Sequence, residues 1–421
     1  MLQVLKTSWA LLLGMLLLMV GNGLQGTLLG VRGAIEGFST LELSIIMSAY
    51  FAGFFGGSRL TPWLIRRVGH VRVFAALGSF ISAVLILFPT IAEPWAWVIL
   101  RIIIGFCFSG VYVTAESWLN NAASNENRGK ALSVYMIVQM LGVVSAQGLL
   151  VLGDPSGFVL FVIPSVLVSI AFAPILLSVS PTPAFEATKP LSLRALYRVS
   201  PLGCVGLFLL GGVFSSQFGM AAVYATVIGL EVGRISAFVA TIYIGALVLQ
   251  YPIGWLSDRM DRRRLIMFIA LLGGLAALLG MGFGTDFTLL LVVAFVVGGL
   301  SNPLYSLLVA YTNDFLEPSD MAAASGGLVF ITGMGAIAGP LITGWLMEQV
   351  GPGGFWLLVA ILMLTLSAYA AYRTTQRPAT PVDETGSFVN VLPSTSIVAM
   401  EAAQEWAVEA ALDDNSETTE P

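Results

Sequence analysis

Twelve long apolar stretches run through this chain, with short polar segments between them. A helix needs about 20 apolar residues to cross a hydrocarbon core that is ~30 Å thick. Backbone N–H and C=O groups find no partner in lipid, so stretches of this length have to be helical. The stretches predicted to cross a membrane are 8–30, 41–63, 72–90, 95–119, 131–153, 157–179, 201–228, 235–256, 264–284, 287–311, 322–347 and 353–373.

The composition also indicates a lipid environment for most of the 421 residues. Apolar residues make up 57% of the chain and charged residues only 10%, whereas soluble domains carry roughly 25% charged residues. The first stretch follows Lys6 and lacks a small-x-small cleavage site, which favours a membrane helix over a signal peptide. The sequence thus predicts an all-α membrane protein of twelve transmembrane helices.

The Lys and Arg residues indicate how these helices are oriented. With the N-terminus placed inside, 16 of the 19 Lys and Arg residues fall on the inner side, Arg32 and Arg234 fall outside, and Arg101 lies within a helix. Cytoplasmic loops of membrane proteins carry such an excess of positive charge. We therefore expect a multi-pass protein of the cytoplasmic (inner) membrane, in contact with the lipid bilayer, with both termini cytoplasmic.

The chain contains an internal repeat. An offset of 192 residues (217 − 25) aligns Gln25 with Gln217, Arg67 with Arg259 and Ala131 with Ala323. Each half then holds six helices, and two such halves in parallel topology are a known membrane architecture. We predict two pseudo-symmetric six-helix bundles at 1–179 and 201–373, a cytoplasmic linker at 180–200 and an acidic cytoplasmic tail at 374–421.

The linker and the tail differ in charge. Residues 193–198 are predicted to form a short basic helix, whereas the chain after Arg377 carries nine acidic residues and no basic residue. Residues 396–412 are predicted to form an amphipathic helix with Glu401, Glu405 and Glu409 on one side. Two interpretations stay open for the tail: a disordered solubilising segment, or a docking element for a soluble protein partner.

A loop motif carries a family resemblance. The segment Gly254-Trp255-Leu256-Ser257-Asp258-Arg259-Met260-Asp261-Arg262-Arg263-Arg264 resembles the G-x-L-x-D-R-x-G-R-R-R signature of the major facilitator superfamily, with Asp261 where glycine is usual. The corresponding loop of the first half keeps Arg67, Gly69 and Arg72. The resemblance implies a transporter of the major facilitator fold, whose central cavity is lined by helices 1, 4, 7 and 10 and partly by helices 5 and 8.

Charged residues at the inner helix ends are candidates for a cytoplasmic gate. Salt bridges between the two halves at these positions hold the inner side closed and have to break when it opens. The alternative is that the basic residues only determine topology. The gate candidates are Arg67, Glu116, Arg128, Asp258, Arg259, Arg262 and Arg263.

Polar residues within the predicted helices indicate a hydrated cavity at mid-membrane. An ionisable residue at membrane depth is costly and usually functional, and Arg101 shares one helix stripe with Gly105, Phe108, Tyr112 and Glu116. The alternatives are a structural arginine and polar side chains that join helices by hydrogen bonds. The substrate-binding candidates are Asn22, Gln25, Arg101, Tyr112, Gln139, Gln217, Tyr224, Tyr243, Asn302 and Tyr305.

Together these features predict a secondary transporter that moves a small organic molecule by alternating access. Proton coupling through Glu116 and uncoupled transport both stay open, because no Asp or Glu is predicted at mid-membrane depth. The alternative function is a transporter-like sensor that recruits a partner through the acidic tail. The sequence holds no phosphate-binding loop, metal-ligand cluster, catalytic triad or nucleic-acid surface, so we expect no enzyme activity and no cofactor, and a monomer. His70 is expected to be solvated.

Overall fold

A computed structural model of the chain describes residues 2–122, 125–177, 191–283, 286–376, 381, 388, 390–404 and 406. The side chains of 2–7, 121, 122, 125–128, 175–177, 283, 318, 319 and 322 are not part of this description. The described residues form helices joined by short loops, without a β-strand among them. The fold is thus all-α, as the sequence predicts.

Two bundles follow one another along the chain. The first contains α1 (Leu2–Ile35), α2 (Thr40–Val68), α3 (His70–Leu87), α4 (Pro94–Ala122), α5 (Asn125–Leu150) and α6 (Val159–Leu177). A short helix, α7 (Leu193–Val199), lies where a basic linker helix is predicted. The second bundle contains α8 (Pro201–Ser215), α9 (Ala221–Val227), α10 (Val232–Ser257), α11 (Arg262–Phe283), α12 (Phe287–Asn313), α13 (Pro318–Val350) and α14 (Gly354–Thr374).

Eleven segments in the described part of the chain are long and apolar enough to cross a membrane, counting Pro201–Val227 as one. A shorter apolar helix, Val159–Pro174, corresponds to the sixth predicted stretch and contains Pro164. The observed helices therefore agree closely with the predicted twelve.

The seventh predicted helix is interrupted, which the sequence analysis does not anticipate. Ser216–Met220 forms a π-helical turn between α8 and α9. The hydroxyl of Ser216 donates to the Gly212 carbonyl at 2.7 Å, and such side-chain bonding to the backbone disturbs the regular helical pattern. π-Helical turns often lie at functional sites, and this one carries Gln217.

The two bundles repeat the same helix pairings. In the first bundle α2 packs on α4, and in the second α10 packs on α12. Glycines allow both contacts: a Cβ at Gly53 would lie 2.0 Å from the Ile102 carbonyl oxygen, and one at Gly245 would lie 2.1 Å from that of Phe295. Small residues let membrane helices approach to backbone contact. The repeat in the sequence is therefore a repeat in packing.

The bundle has two distinct ends. We call the end at which α2, α4, α10 and α12 finish the basic end, because it carries the arginines of 59–72 and 259–264. We call the opposite end, where α1, α5 and α13 finish, the far end. The part of the C-terminal segment 388–406 that the structure describes lies at the basic end, and 397–404 are helical with Glu401 on them. The other predicted helix residues, 405 and 407–412, lie outside the described residues.

A matched pair of glycine substitutions tests the α2–α4 contact. We expect Gly53→Ala to lower the thermal unfolding midpoint in detergent, because overpacking costs about 1–3 kcal/mol. Gly148→Ala is the control, since no atom lies within 4 Å of the position of its Cβ, and alanine there favours the helix. Equal midpoints for the two variants would contradict the proposed close contact.

Candidate functional site

A central cavity lies between the two bundles. Its volume is about 70 Å³, which is room for a few water molecules. Residues from α1, α2, α4 and α5 line one side, and residues from the second bundle line the other. The lining residues include the predicted Asn22, Tyr112, Gln139, Tyr243 and Asn302, together with Tyr50, Phe51, Phe54, Phe214, Phe218 and Thr332.

The polar groups of the first bundle form one hydrogen-bonded cluster. The Asn22 amide donates to the hydroxyl oxygens of Tyr112 at 3.0 Å and Tyr50 at 3.2 Å. The Gln25 amide donates to Asn22 Oδ1 at 3.3 Å. All four side chains are buried, and a buried amide needs such partners. The cluster therefore fixes the amide and two phenols at the cavity wall.

Arg101 lies behind this wall and does not line the cavity. It is fully buried, and its Nη1 donates to Gln25 Oε1 at 2.9 Å. Its guanidinium also lies over the Tyr50 ring, 4.7 Å from the centroid, and Nε reaches the Ile46 carbonyl at 3.4 Å. Because Arg101 holds Gln25 and Tyr50, which contact Asn22, it positions the cluster. The predicted interior stripe through Arg101, Gly105, Phe108, Tyr112 and Glu116 is buried throughout.

The second bundle contributes fewer polar groups than predicted. Asn302 donates to the Gly298 carbonyl at 3.1 Å, and its Oδ1 has no hydrogen-bond partner among the described residues. Gln217 is joined to Ser301 at 3.0 Å, and Tyr224 is stacked on Phe355 with ring centroids 4.9 Å apart.

Five of the ten predicted binding residues do not line this cavity: Gln25, Arg101, Gln217, Tyr224 and Tyr305. Helical spacing predicts which side chains share a face of a regular helix. It does not predict the side-chain directions along α8 and α9, because the π-helical turn between them changes the helical periodicity. For Tyr224, a stacked aromatic environment replaces the expected wet one.

The sequence analysis missed an aromatic cluster. Tyr50 and Phe51 of α2 contact Phe218, with ring centroids 5.7 Å and 6.1 Å from it, and Phe54 lies 6.1 Å from Tyr50. Phe214 stacks on Phe218 at 5.9 Å. The closely spaced aromatic residues of α2 indicate this cluster in the sequence, whereas the predicted binding residues were chosen for their polar groups.

The far end of the bundle is closed by direct contacts between the two halves. A Cβ at Gly30 of α1 would lie 3.0 Å from Ala222 Cβ, and one at Gly344 of α13 would lie 2.3 Å from Ser44 Cβ. Leu41 of α2 donates its N–H to Glu348 at 3.1 Å. At these described contacts the two halves touch each other directly and leave no gap for a solute. The cavity is therefore separated from the far end.

The predicted gate pairs are mostly absent from the described residues, and the sequence expectation needs correction. Arg262 of α11 pairs with Asp314 at the end of α12, and both helices belong to the second bundle. Arg263 pairs with Asp261 at 3.2 Å. Arg259 lies over the Trp255 ring at 4.2 Å. These contacts stay within one half, so they do not join the halves.

The remaining gate candidates also have other partners. Asp258 accepts the Phe388 N–H at 3.0 Å and lies 3.7 Å from Arg262 of the same half. Arg67 is exposed and lies over the Trp63 ring at 5.3 Å. The Arg128 side chain lies outside the described residues, so its role at the gate stays a prediction.

Glu116 is buried near the basic end of α4 and faces the C-terminal segment. Its Oε1 accepts the Tyr135 hydroxyl at 2.9 Å, and its Oε2 accepts the Ser396 N–H at 3.2 Å.

His70 is also buried, with Nε2 at 3.1 Å from Ser117 Oγ, so the expectation that it is solvated was wrong. The expectation placed His70 in a loop, whereas His70 is the first residue of α3.

Comparison with known proteins identifies the family. The model of the Major Facilitator Superfamily matches residues 11–243 and 204–406, and the chain belongs to this family. It is 26% identical over 357 residues to the uncharacterized MFS-type transporter YcaD of Salmonella arizonae and to that of Escherichia fergusonii, covering 83% of this chain and 91% of each relative. The protein is an MFS transporter, as the loop motif indicates.

Solved structures share the fold. A mutant form of the nucleoside transporter NupG matches with a TM-score of 0.75 and 17% identity, covering 87% of this chain and 99% of that chain. A D-xylose-proton symporter matches with a TM-score of 0.67 and 15% identity, covering 87% and 96%. At these identities the likeness concerns the fold alone.

A double-mutant cycle tests the positioning role of Arg101. We expect Arg101→Leu and Gln25→Leu to be coupled by about 1 kcal/mol in unfolding free energy, since neutral pairs in membranes average about 0.6 kcal/mol and charge-assisted bonds are roughly twice as strong. The measurement is unfolding of the purified single and double variants in mixed micelles. Additive effects would mean that the two side chains act independently.

Proposed function

We propose that this protein is a secondary transporter that moves a small organic solute across the cytoplasmic membrane by alternating access. In this proposal the basic end faces the cytoplasm, in keeping with the distribution of Lys and Arg. Residues 1–179 and 201–373 act as the two moving halves, 180–200 as the linker and 374–421 as the tail.

One observation carries this proposal: a cavity lined by aromatic and amide side chains lies between the two halves and is closed towards the far end by contacts such as Gly344 on Ser44. Rocking of two repeats about a site at their interface is how such folds alternate access. The cavity walls come from both halves, so a bound solute contacts each of them. Opening and closing then require only that one half moves against the other.

The cavity lining favours an uncharged solute with a planar or aromatic part. The described lining residues include no Asp, Glu, Lys, Arg or His, and aromatic rings from both halves surround the space. Such rings offer stacking surfaces. Asn22 and Asn302 supply amide groups for a few hydrogen bonds. Because Arg101 lies behind Tyr50, it polarises the wall without offering an ion pair to an anionic solute.

Glu116 is the residue that we propose for proton coupling. It is the carboxylate buried between the cavity and the basic end, and its partner Tyr135 lies on α5. A carboxylate that changes its exposure between two conformations can bind and release a proton. The alternative sensor function has no support from the described tail residues, which contact the bundles of the same chain.

A thermal-shift screen with matched variants tests the cavity as the binding site. We expect an uncharged planar solute to stabilise the protein, and Asn302→Leu to weaken its binding about 3- to 10-fold, because a neutral hydrogen bond contributes about 0.5–1.5 kcal/mol. Tyr224→Phe is the control, since Tyr224 does not line the cavity. Equal affinities in both variants would remove Asn302 from the site.

Proteoliposomes with an imposed pH gradient test the coupling. We expect the gradient to drive accumulation of that solute, and Glu116→Gln to abolish accumulation while exchange of labelled for unlabelled solute continues. The amide keeps the shape of the side chain but cannot carry a proton. Accumulation by the variant equal to that of the native protein would show that Glu116 does not couple protons to transport.

A further inference from the structure

We propose that the C-terminal segment 388–406 is an autoinhibitory plug, which occupies the opening between the two bundles at the basic end and blocks the solute path. The inference rests on the proposed function, because it assigns this opening to the solute. The sequence analysis treated the tail as a solubilising or partner-docking element, whereas its described residues lie against both halves.

The plug is bonded to the second bundle along its first residues. Asn390 Oδ1 accepts from the Gln250 amide at 2.6 Å. The backbone of Val391 makes two bonds with Ser306: its N–H donates to Oγ at 3.0 Å, and its carbonyl accepts from Oγ at 2.8 Å. The Phe388 ring packs on Gly254. Gln250 of α10 thus binds a side chain of the plug, and Ser306 of α12 binds its backbone.

The first bundle holds the plug five residues further along, at Ser396. The Ser396 N–H donates to Glu116 of α4, and Val398 donates its N–H to Ser396 Oγ at 3.2 Å, which marks Ser396 as the cap of helix 397–404. A carboxylate is favourable at the positive end of a helix. The Trp406 ring packs on Gly129 of α5, where a Cβ would lie 2.4 Å from the ring.

The apolar side chains of the plug are buried to the same extent as those of a hydrophobic core. Val391 is 1% exposed, Leu392 is 5% exposed and Met400 is fully buried. A segment that merely solubilises the protein would present its apolar residues to water at a cost. The burial of these apolar side chains therefore favours the bound position of the plug.

Leu392 occupies the boundary between the central cavity and the opening. It lines the central cavity together with Pro393 and Ser394, and it also lines a second space of about 610 Å³ between α5 and α10 at the basic end. Sites for organic ligands measure roughly 300–1,000 Å³, so the central cavity beside the plug is too small for one. Withdrawal of the plug would join the two spaces.

The plug also restricts the movement of the halves. It lies between Glu116 of the first bundle and Ser306 of the second, so the basic ends cannot close upon each other while it is bound. The far end then stays shut, because the two ends open in alternation. The plug therefore excludes the solute and holds one conformation with the same set of contacts.

Access of a thiol reagent to the cavity tests the plug without any transported solute. Ser58 lines the cavity, and Ser58→Cys is introduced with Cys107 and Cys204 replaced by serine. A membrane-impermeant maleimide is applied to inside-out vesicles, which expose the basic end. A plug that is bound nine-tenths of the time or more slows labelling about tenfold or more. We expect deletion of 381–421 to raise the labelling rate by that factor, and deletion of 407–421 to leave it unchanged.

A point substitution in the full-length chain tests the plug independently of whether the truncated chain folds. Leu392→Asp introduces a charge at the buried boundary position, which expels the plug while leaving every bundle residue as it is. Pro381→Asp is the matched control, because Pro381 is an exposed residue of the same tail. We expect fast labelling for Leu392→Asp and slow labelling for Pro381→Asp.

A disulfide tests the position of the plug in the membrane. Ser306→Cys and Val391→Cys place two thiols at the contact where the Ser306 hydroxyl bonds to the Val391 backbone. This contact is close enough for a disulfide. Trypsin releases the tail by cutting after Arg373, because Pro378 blocks cleavage after Arg377 and no Lys or Arg lies beyond it. After oxidation, 374–421 should therefore stay attached to the peptide that carries position 306, and a reductant should release it; the single-cysteine variants should show no attachment.

Either of two results would overturn the plug: equal labelling rates in all tail variants, or no cross-link in membranes. Neither measurement requires transport. If no solute is ever transported, the proposed function fails while a slow, tail-dependent labelling rate and the cross-link still support the plug.

Discussion

Hydrocarbon leaves no partner for an unpaired backbone group, and this constraint decides the rest of the structure. The chain satisfies it with helices, and the helices then approach one another only where side chains permit. Glycines such as Gly53 and Gly245 bring backbones into contact at equivalent places in the two bundles. These contacts hold the helices of each bundle together.

The cavity arises at this interface. Its wall in the first bundle is fixed by one buried guanidinium, because Arg101 holds Gln25 and Tyr50, and these in turn hold Asn22. Its wall in the second bundle is largely apolar, and there Oδ1 of Asn302 has no hydrogen-bond partner among the described residues. A fixed polar cluster facing a largely apolar wall selects a solute by shape and by a few hydrogen bonds.

The sequence predicted the features that depend on local pattern. Hydropathy located the helices, and helical spacing correctly placed Tyr112 and Glu116 on the buried face of α4. It failed where three-dimensional packing decides. The π-helical turn at Ser216–Met220 depends on local bonding to Gly212, and Tyr50 matters because Arg101 approaches it from another helix. The burial of 390–404 depends on contacts between residues up to 280 positions apart, which no window of sequence reports.

Spin-label distances test the central claim, that the two bundles alternate between closure at one end and at the other. One pair on Lys130 and Arg259 reports on the basic end, and one pair on Leu152 and Glu231 reports on the far end; all four residues are exposed. In the protein with 381–421 deleted, the account predicts two populations in which a shorter basic-end distance accompanies a longer far-end distance. Distances that keep one value at both ends, or that change together, would contradict it.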